Sequence, residues 1–147
     1  MSQQTLHKEI IARSESDNWD DARDEWALGN VWMSDDPSTC LCGHNPIKEI
    51  CEIKNRLNNK EVEVGNCCVN NFLGLESDQL FTSLRRVVAD DEASFNPDAI
   101  NFAHSRGFIS DWDHKFYLSI WRKRNLSTKQ FANKYRINKK LLSHLVR

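Results

Sequence analysis

All five cysteines of the chain fall within 29 residues, as Cys40-Leu41-Cys42-Gly43-His44, Cys51 and Cys67-Cys68. Thiolates gathered so closely are the ligand set of a zinc ion, a soft four-coordinate cation that asks for no redox chemistry. Cys40 and Cys42 are the first two ligands. On a helix the adjacent Cys67 and Cys68 point about 100° apart, so one of them reaches the ion, and Cys68 is preferred because Cys67 sits at the bend. Cys51 is the leading fourth ligand, with His44 and Cys67 as alternates. Four ligands and one bystander account for the odd cysteine count. A site closed by cysteines has no open coordination position, which makes the ion structural rather than catalytic.

The surrounding elements must bring these sulfurs to one point. Cys40–Gly43 reads as a knuckle, a tight turn whose amides face the sulfurs and in which Gly43 supplies a positive φ. Ile47 to Asn55 and Glu61 to Val64 read as two strands. Cys51 and Ile53 share one face of the first, and Val62 and Val64 alternate with Glu61 and Glu63 on the second. Asn58-Asn59 carries the turn, because Asn tolerates left-handed backbone. Gly65-Asn66 ends the hairpin, and Asn66 caps a helix that starts at Cys67 or Cys68 and continues through Phe72 and Leu73. The positive end of that helix favours a thiolate at Cys68. Knuckle, hairpin and helix in this order make a treble-clef-like zinc finger, and so short a hairpin needs the metal to hold together in water.

At these residues the chain resembles a group of small zinc-finger-like proteins carried by bacteria, phages and plasmids. The resemblance rests on Cys40-x-Cys42-Gly43-His44, Ile47, Cys51-x-Ile53-x-Asn55, Val64-Gly65-Asn66-x-Cys68-Val69 and Phe72. It extends into Phe116-Tyr117, Arg122-Lys123-Arg124, Leu126-Ser127-x-Lys129-Gln130 and Ile137-Asn138, and so covers most of residues 26–147. The resemblance implies that Cys68 rather than Cys67 is the ligand, and it implies a phage or mobile-element setting. It brings no activity with it.

Before the finger, residues 1–16 are polar and are expected to be at best partly ordered. Asp17 to Leu28 reads as a helix capped by Asp17, with Trp19, Ala22 and Trp26 on one face and Gly29 at its end. Trp19, Trp26 and Trp32 are expected in the core, since indoles bury a large area. Asp35-Asp36-Pro37-Ser38-Thr39 reads as a linker. After the finger the pattern is helical. One helix begins at Ser77-Asp78 and runs to about Ala89, with Leu80, Phe81, Leu84, Val87 and Val88 inward. Asn96-Pro97-Asp98 starts a second, which stops at Gly107. Ser110 opens a third, with Trp112, Phe116 and Ile120 as its stripe. Ser127-Thr128-Lys129-Gln130 has the form of a capping box. A helix to Tyr135, a turn at Arg136-Ile137-Asn138 and a last helix from Lys139 to Val146 would make a helix-turn-helix. Phe131, Ala132, Tyr135, Ile137, Leu142 and Leu145 stand at its apolar positions, with a plain helical hairpin as the alternative.

The net charge of −1 hides a polarity: Lys115–Arg147 carries ten basic residues and no acid, so residues 1–114 hold ten basic residues and all 21 acids. Such asymmetry points to an anionic partner, DNA first, with Arg122, Lys123, Arg124, Lys129, Lys134, Arg136, Lys139 and Lys140 on its phosphates. The competing reading is an adaptor or inhibitor that binds a host protein through an acidic surface comprising Asp17, Asp20, Asp21, Asp24, Glu25, Asp35 and Asp36. An enzyme built on His104, Asp111, Asp113 and His114 is not expected, since no phosphate loop, zinc-protease helix or nucleophile elbow accompanies them. No secretory pattern opens the chain and no apolar run suits a bilayer, so a cytoplasmic location without membrane contact is expected. The expectation is therefore an α+β, mainly α chain: an acidic segment at 1–39, a zinc-finger module at 40–76 and a basic-ended helical domain at 77–147. Its function would be that of a non-catalytic, zinc-dependent, nucleic-acid-binding regulatory protein.

Overall fold

A computed structural model describes residues 3–147. The protein is a mixed α and β chain that divides into two compact units, Met1–Asp78 and Gln79–Arg147.

The first unit is organised on an antiparallel sheet of order β1-β2-β3, with β1 at Trp26–Ser38, β2 at Ile47–Asn55 and β3 at Glu61–Gly65. The β2–β3 hairpin is present, paired from Ile50 opposite Gly65 to Lys54 opposite Glu61. Its turn is built by asparagines. Asn59 takes φ 62°, and the buried Asn55 accepts the amides of Leu57 at 2.8 Å and Asn58 at 3.2 Å on Oδ1.

Upstream of Cys40 the structure departs from the sequence reading in three places. The polar N-terminus forms α1, Gln3–Arg13, which buries Leu6 and Ile10 one turn apart. The helix expected to Leu28 is only α2, Trp19–Asp24, capped by Asn18 rather than Asp17. From Trp26 the chain is a strand through Ser38, so most of the segment read as a linker belongs to β1, where Ser38 pairs with Ile47 after an irregularity that begins beyond Met33. The helical spacing of Trp19, Ala22 and Trp26 lost to a tertiary demand: β2 needs a partner on its second edge, and β1 buries Trp26, Val31 and Trp32 while supplying one. Gly29 does not end a helix. It lies where the register shifts between Leu28 and Val31, and a Cβ there would come within 3.0 Å of the Glu52 carbonyl oxygen.

Glu25 locks this region. Its buried carboxylate accepts the amides of Glu15 at 2.7 Å and Ser16 at 2.8 Å and the Asn55 side-chain amide at 2.9 Å. Burial works to raise its pKa. The Asn55 amide, the two main-chain donors and the Arg56 charge outweigh that, and hold the carboxyl below the usual range.

The second unit is helical: α4 at Asp78–Ala89, α5 at Pro97–Ser105, α6 at Asp111–Ile120 and α7 at Thr128–Leu145. The start signals act as expected. Asn96, Ser110 and Ser127 each accept an amide from the first turn of the helix they cap, and Ser127 with Gln130 closes the capping box. Two faces differ from expectation. Val88 is exposed on α4, and α6 turns Asp113, Tyr117 and Ile120 inward, leaving Trp112 57% exposed. The expected helix-turn-helix is absent, because α7 continues through Arg136-Ile137-Asn138. No Gly or Pro interrupts it there. Lys134, Ile137, Asn138, Leu141 and Leu145 form its buried stripe, which leaves Phe131, Ala132 and Tyr135 exposed. Tyr117 and Asn138 knot the unit: the Tyr117 hydroxyl donates to Asn138 Oδ1 at 2.7 Å and accepts the Phe95 amide at 2.9 Å. Asn138 Nδ2 donates to the carbonyls of Asp91 at 2.9 Å and Ala93 at 2.8 Å.

Candidate metal centre

The knuckle, the end of β3 and helix α3 (Asn66–Asn71) bring Cys40, Cys42 and Cys68 together, all buried, with their sulfurs within 4.8 Å of one another. The knuckle is shaped by its own backbone. The Gly43 amide donates to the Cys40 carbonyl at 2.8 Å and the Cys40 amide to the His44 carbonyl at 2.9 Å, with Gly43 at φ 94° as its turn requires. Three amides point at sulfur: Gly65 at 3.2 Å and Cys42 at 3.5 Å on Cys40, and His44 at 3.4 Å on Cys42. Gly65 approaches so closely that a Cβ there would meet Ile47 at 3.3 Å and the Cys40 sulfur at 3.8 Å.

These contacts share out the protons. The Cys40 thiol is pushed down to about 5, chiefly by a hydrogen bond from Cys68 and, against its burial, by the Gly65 and Cys42 amides; Cys68 is pushed up as the donor. The pair therefore favours negative charge on Cys40 over Cys68, first through the hydrogen bond between them and then through the main-chain N–H donors on Cys40. Three thiolates on one zinc, each bonded at about 2.3 Å, stand about 3.8 Å apart. Closing the observed group around an ion thus asks for a contraction of at most about 1 Å. The donor set fits a soft divalent cation, which would supply a shared positive centre for three clustered sulfurs.

The remaining candidate ligands lie elsewhere. Cys51 is fully buried, but its thiol donates to Ser77 Oγ at 3.4 Å and burial raises its pKa to about 11. Ser77 belongs to a network unseen in the sequence: its hydroxyl donates to Asn66 Oδ1 at 2.6 Å, and Asn70 Nδ2 reaches both, at 3.1 Å and 2.7 Å. This use of Asn66 corrects its expected role. It is the first residue of α3, whose cap is Gly65, and its side chain turns inward rather than capping. His44 and Cys67 are exposed. Both line a cleft of ≈ 790 Å³ onto which Cys40, Cys42 and Cys68 also open.

In the second unit the basic residues separate into two groups. Lys134 is buried at 8% exposure. Arg136 pairs with the buried Asp113 at 2.8 Å, Lys140 approaches the same carboxylate at 3.9 Å, and Lys139 pairs with Asp91 at 2.9 Å. Arg122, Lys123, Arg124 and Lys129 are exposed, and no ion pair found among the described residues involves them. Arg122 stacks on the Trp121 ring at 5.4 Å. Trp112 and Phe116 stack in parallel at 5.0 Å on the outer face of α6, an aromatic surface hidden in the sequence because the same spacing reads as a core stripe. His104 and His114 stack at 4.0 Å and bond outward, to Asp111 at 2.7 Å and Asn101 at 2.8 Å. No helix among the described residues is long and apolar enough to cross a membrane.

No family model, curated protein or solved structure matches this chain.

Proposed function

We propose that this is a non-catalytic zinc protein whose first unit is a treble-clef-like finger and whose second unit binds nucleic acid, DNA first, through phosphates. The observation that carries the metal is the buried group of Cys40, Cys42 and Cys68, with three main-chain amides aimed at its sulfurs. Knuckle, β2–β3 hairpin and α3 follow in the order the finger requires. The nucleic-acid reading is carried by Arg122-Lys123-Arg124 and Lys129, four exposed cations outside the ion pairs that engage Arg136, Lys139 and Lys140. A regulatory role is part of the same proposal.

The test is a salt titration of the metal-loaded chain on duplex DNA. Affinity should fall with salt at a slope of about 0.9 per phosphate contacted. The triple variant R122Q/K123Q/R124Q should flatten that slope, whereas no measurable binding at low salt sinks the reading. A second reading has its own support: Asp17, Asp20, Asp21 and Asp24 are exposed around α2, as are Asp35 and Asp36 on β1. This is the surface of a mobile-element adaptor that occupies a basic host protein, though without the buried Glu25. A chain that ignores DNA, yet holds a basic protein and releases it in the D20K/D21K variant, would establish it.

A further inference from the structure

Three sulfurs do not fill a tetrahedral ion, and the three gathered here line one cleft. Cys51 is not one of the three gathered sulfurs, although it lies near enough to Cys40 to feel its charge. Across the hairpin Cys51 stands opposite Val64, while the amide that touches the Cys40 sulfur belongs to Gly65, the next residue along β3. The Cys51 thiol is spent on Ser77, inside a network in which Asn66 and Asn70 also take part. His44 contributes main chain rather than side chain: its amide and carbonyl shape the knuckle. Cys67 follows the helix and is exposed, about 100° round from Cys68. What all three clustered sulfurs do share is one cleft, walled by Pro46, Ile47 and Phe72 and with Lys48 on its lining.

We propose that the metal centre keeps its fourth position open onto this cleft, where it accepts a thiolate from outside the chain, and that Cys51 is a buried core thiol rather than a ligand. The proposal rests on the metal reading given above and deepens it. Three thiolates select a soft ion, and a soft ion prefers sulfur as its fourth donor. A cleft of ≈ 790 Å³ admits a side chain or a small thiol. The incoming thiol releases its proton to solvent and its sulfur displaces a water, with no change of oxidation state. The apolar wall favours the stem of such a ligand, and the Lys48 ammonium favours its negative charge. The site would then be a docking point for cysteine chemistry rather than a sealed staple.

The experiment uses the full chain loaded with Co²⁺ in a non-thiol reductant, reading the sulfur-to-cobalt charge-transfer band. Going from three thiolates to four should raise that band by about a third when 2-mercaptoethanol is added, since each sulfur ligand contributes to it. Cys51→Ala, His44→Ala and Cys67→Ser should each leave the starting spectrum unchanged, whereas Cys68→Ser should lose about a third of it. Ser77→Ala frees the Cys51 thiol without removing it, and should also change nothing; it covers the case in which Cys51→Ala fails to fold. A cysteine-bearing peptide that raises the band where 2-mercaptoethanol does not would identify a protein partner as the thiol source, and the reverse a small thiol. The proposal is overturned if Cys51→Ala weakens the band, if Ser77→Ala strengthens it, or if neither thiol alters it. No uptake of Co²⁺ removes the metal centre itself, whereas uptake with a spectrum no added thiol can change removes only the open position.

Discussion

The two units carry opposite charge and hold themselves together differently. Met1–Asp78 has 7 basic and 15 acidic residues, net −8, and Gln79–Arg147 has 13 basic and 6 acidic, net +7. The first hangs its sheet on buried polar groups: the Glu25–Asn55 contact, the network of Asn66, Asn70 and Ser77, and three clustered thiols. The second relies on an apolar core including Phe81, Leu84, Phe95, Ile100, Ile120, Ile137 and Leu141, reached by capped helices and tied by Tyr117 and Asn138. Below about 80 residues a single core supplies only a few kcal/mol, so each unit needs a supplement. In the first unit the supplement is the buried polar network and, on the zinc reading proposed above, a metal at the thiol cluster. In the second it is helical self-sufficiency, with among the described residues no buried side-chain N or O left unpartnered.

This contrast predicts a hierarchy of effects. The largest belongs to the metal. Structural zinc contributes on the order of 10 kcal/mol in small fingers, so a chelator added to the reduced chain should release the amides of the knuckle, β3 and α3 to hydrogen exchange while α5 to α7 stay protected. Equal loss in both units would erase the distinction. Next comes Asn138→Ala, which strips partners from two carbonyls and the Tyr117 hydroxyl. At about 1–3 kcal/mol per orphaned group, the cost should be about 3 kcal/mol or more. Exchange should rise across α6 and α7 with the Co²⁺ spectrum unaltered, and a spectrum that collapses with them would show the units to be energetically one.

A smaller effect is set by pH. The Glu25 carboxyl is held below its ordinary 4.5, so between its folded and unfolded values the unfolded chain binds more protons. The stabilisation is therefore complete above 4.5 and is lost as pH falls through the lowered folded value. Glu25→Gln should remove this acid-side dependence from the first unit's melting and leave the second unit's unchanged; an unaltered acid limb would refute the role given to that network. Smallest of all, Lys129→Gln should shift melting by less than about 0.5 kcal/mol while still weakening DNA binding. A large loss of stability would place that lysine in the fold instead of on the surface.

Legibility in the sequence follows the same division. The helical unit announced its starts, because a cap is settled by residues three positions apart: Asn96 with Ala99, Ser110 with Asp113, Ser127 with Gln130. It did not announce its inward faces. Trp112 and Phe116 are spaced like a core stripe yet stack outside, and Asn138, a polar residue of turn-forming type, sits fully buried. In the sheet unit the hairpin and knuckle were legible from alternation and from Gly43 and Asn59, whereas β1 was not, since its residues become a strand only beside β2. The same holds for the metal group. Composition marked the cysteines as a set, but whether Cys51 turns toward Cys40 or toward Ser77 is a choice between neighbours that lie 11 and 26 residues away in sequence.

By itself the sequence determined what short-range backbone chemistry can decide: where turns fall, where helices begin, that thiols cluster, and that acids and bases are segregated along the chain. Tertiary structure decided which strand covers β2, which side chains of α6 and α7 face inward, which cysteines share a centre and which cations remain exposed. The physical reason is the range of the interactions. A cap or a turn is stabilised by partners a few bonds away, whereas burial and pairing are stabilised only by surfaces that the folded chain itself brings into place.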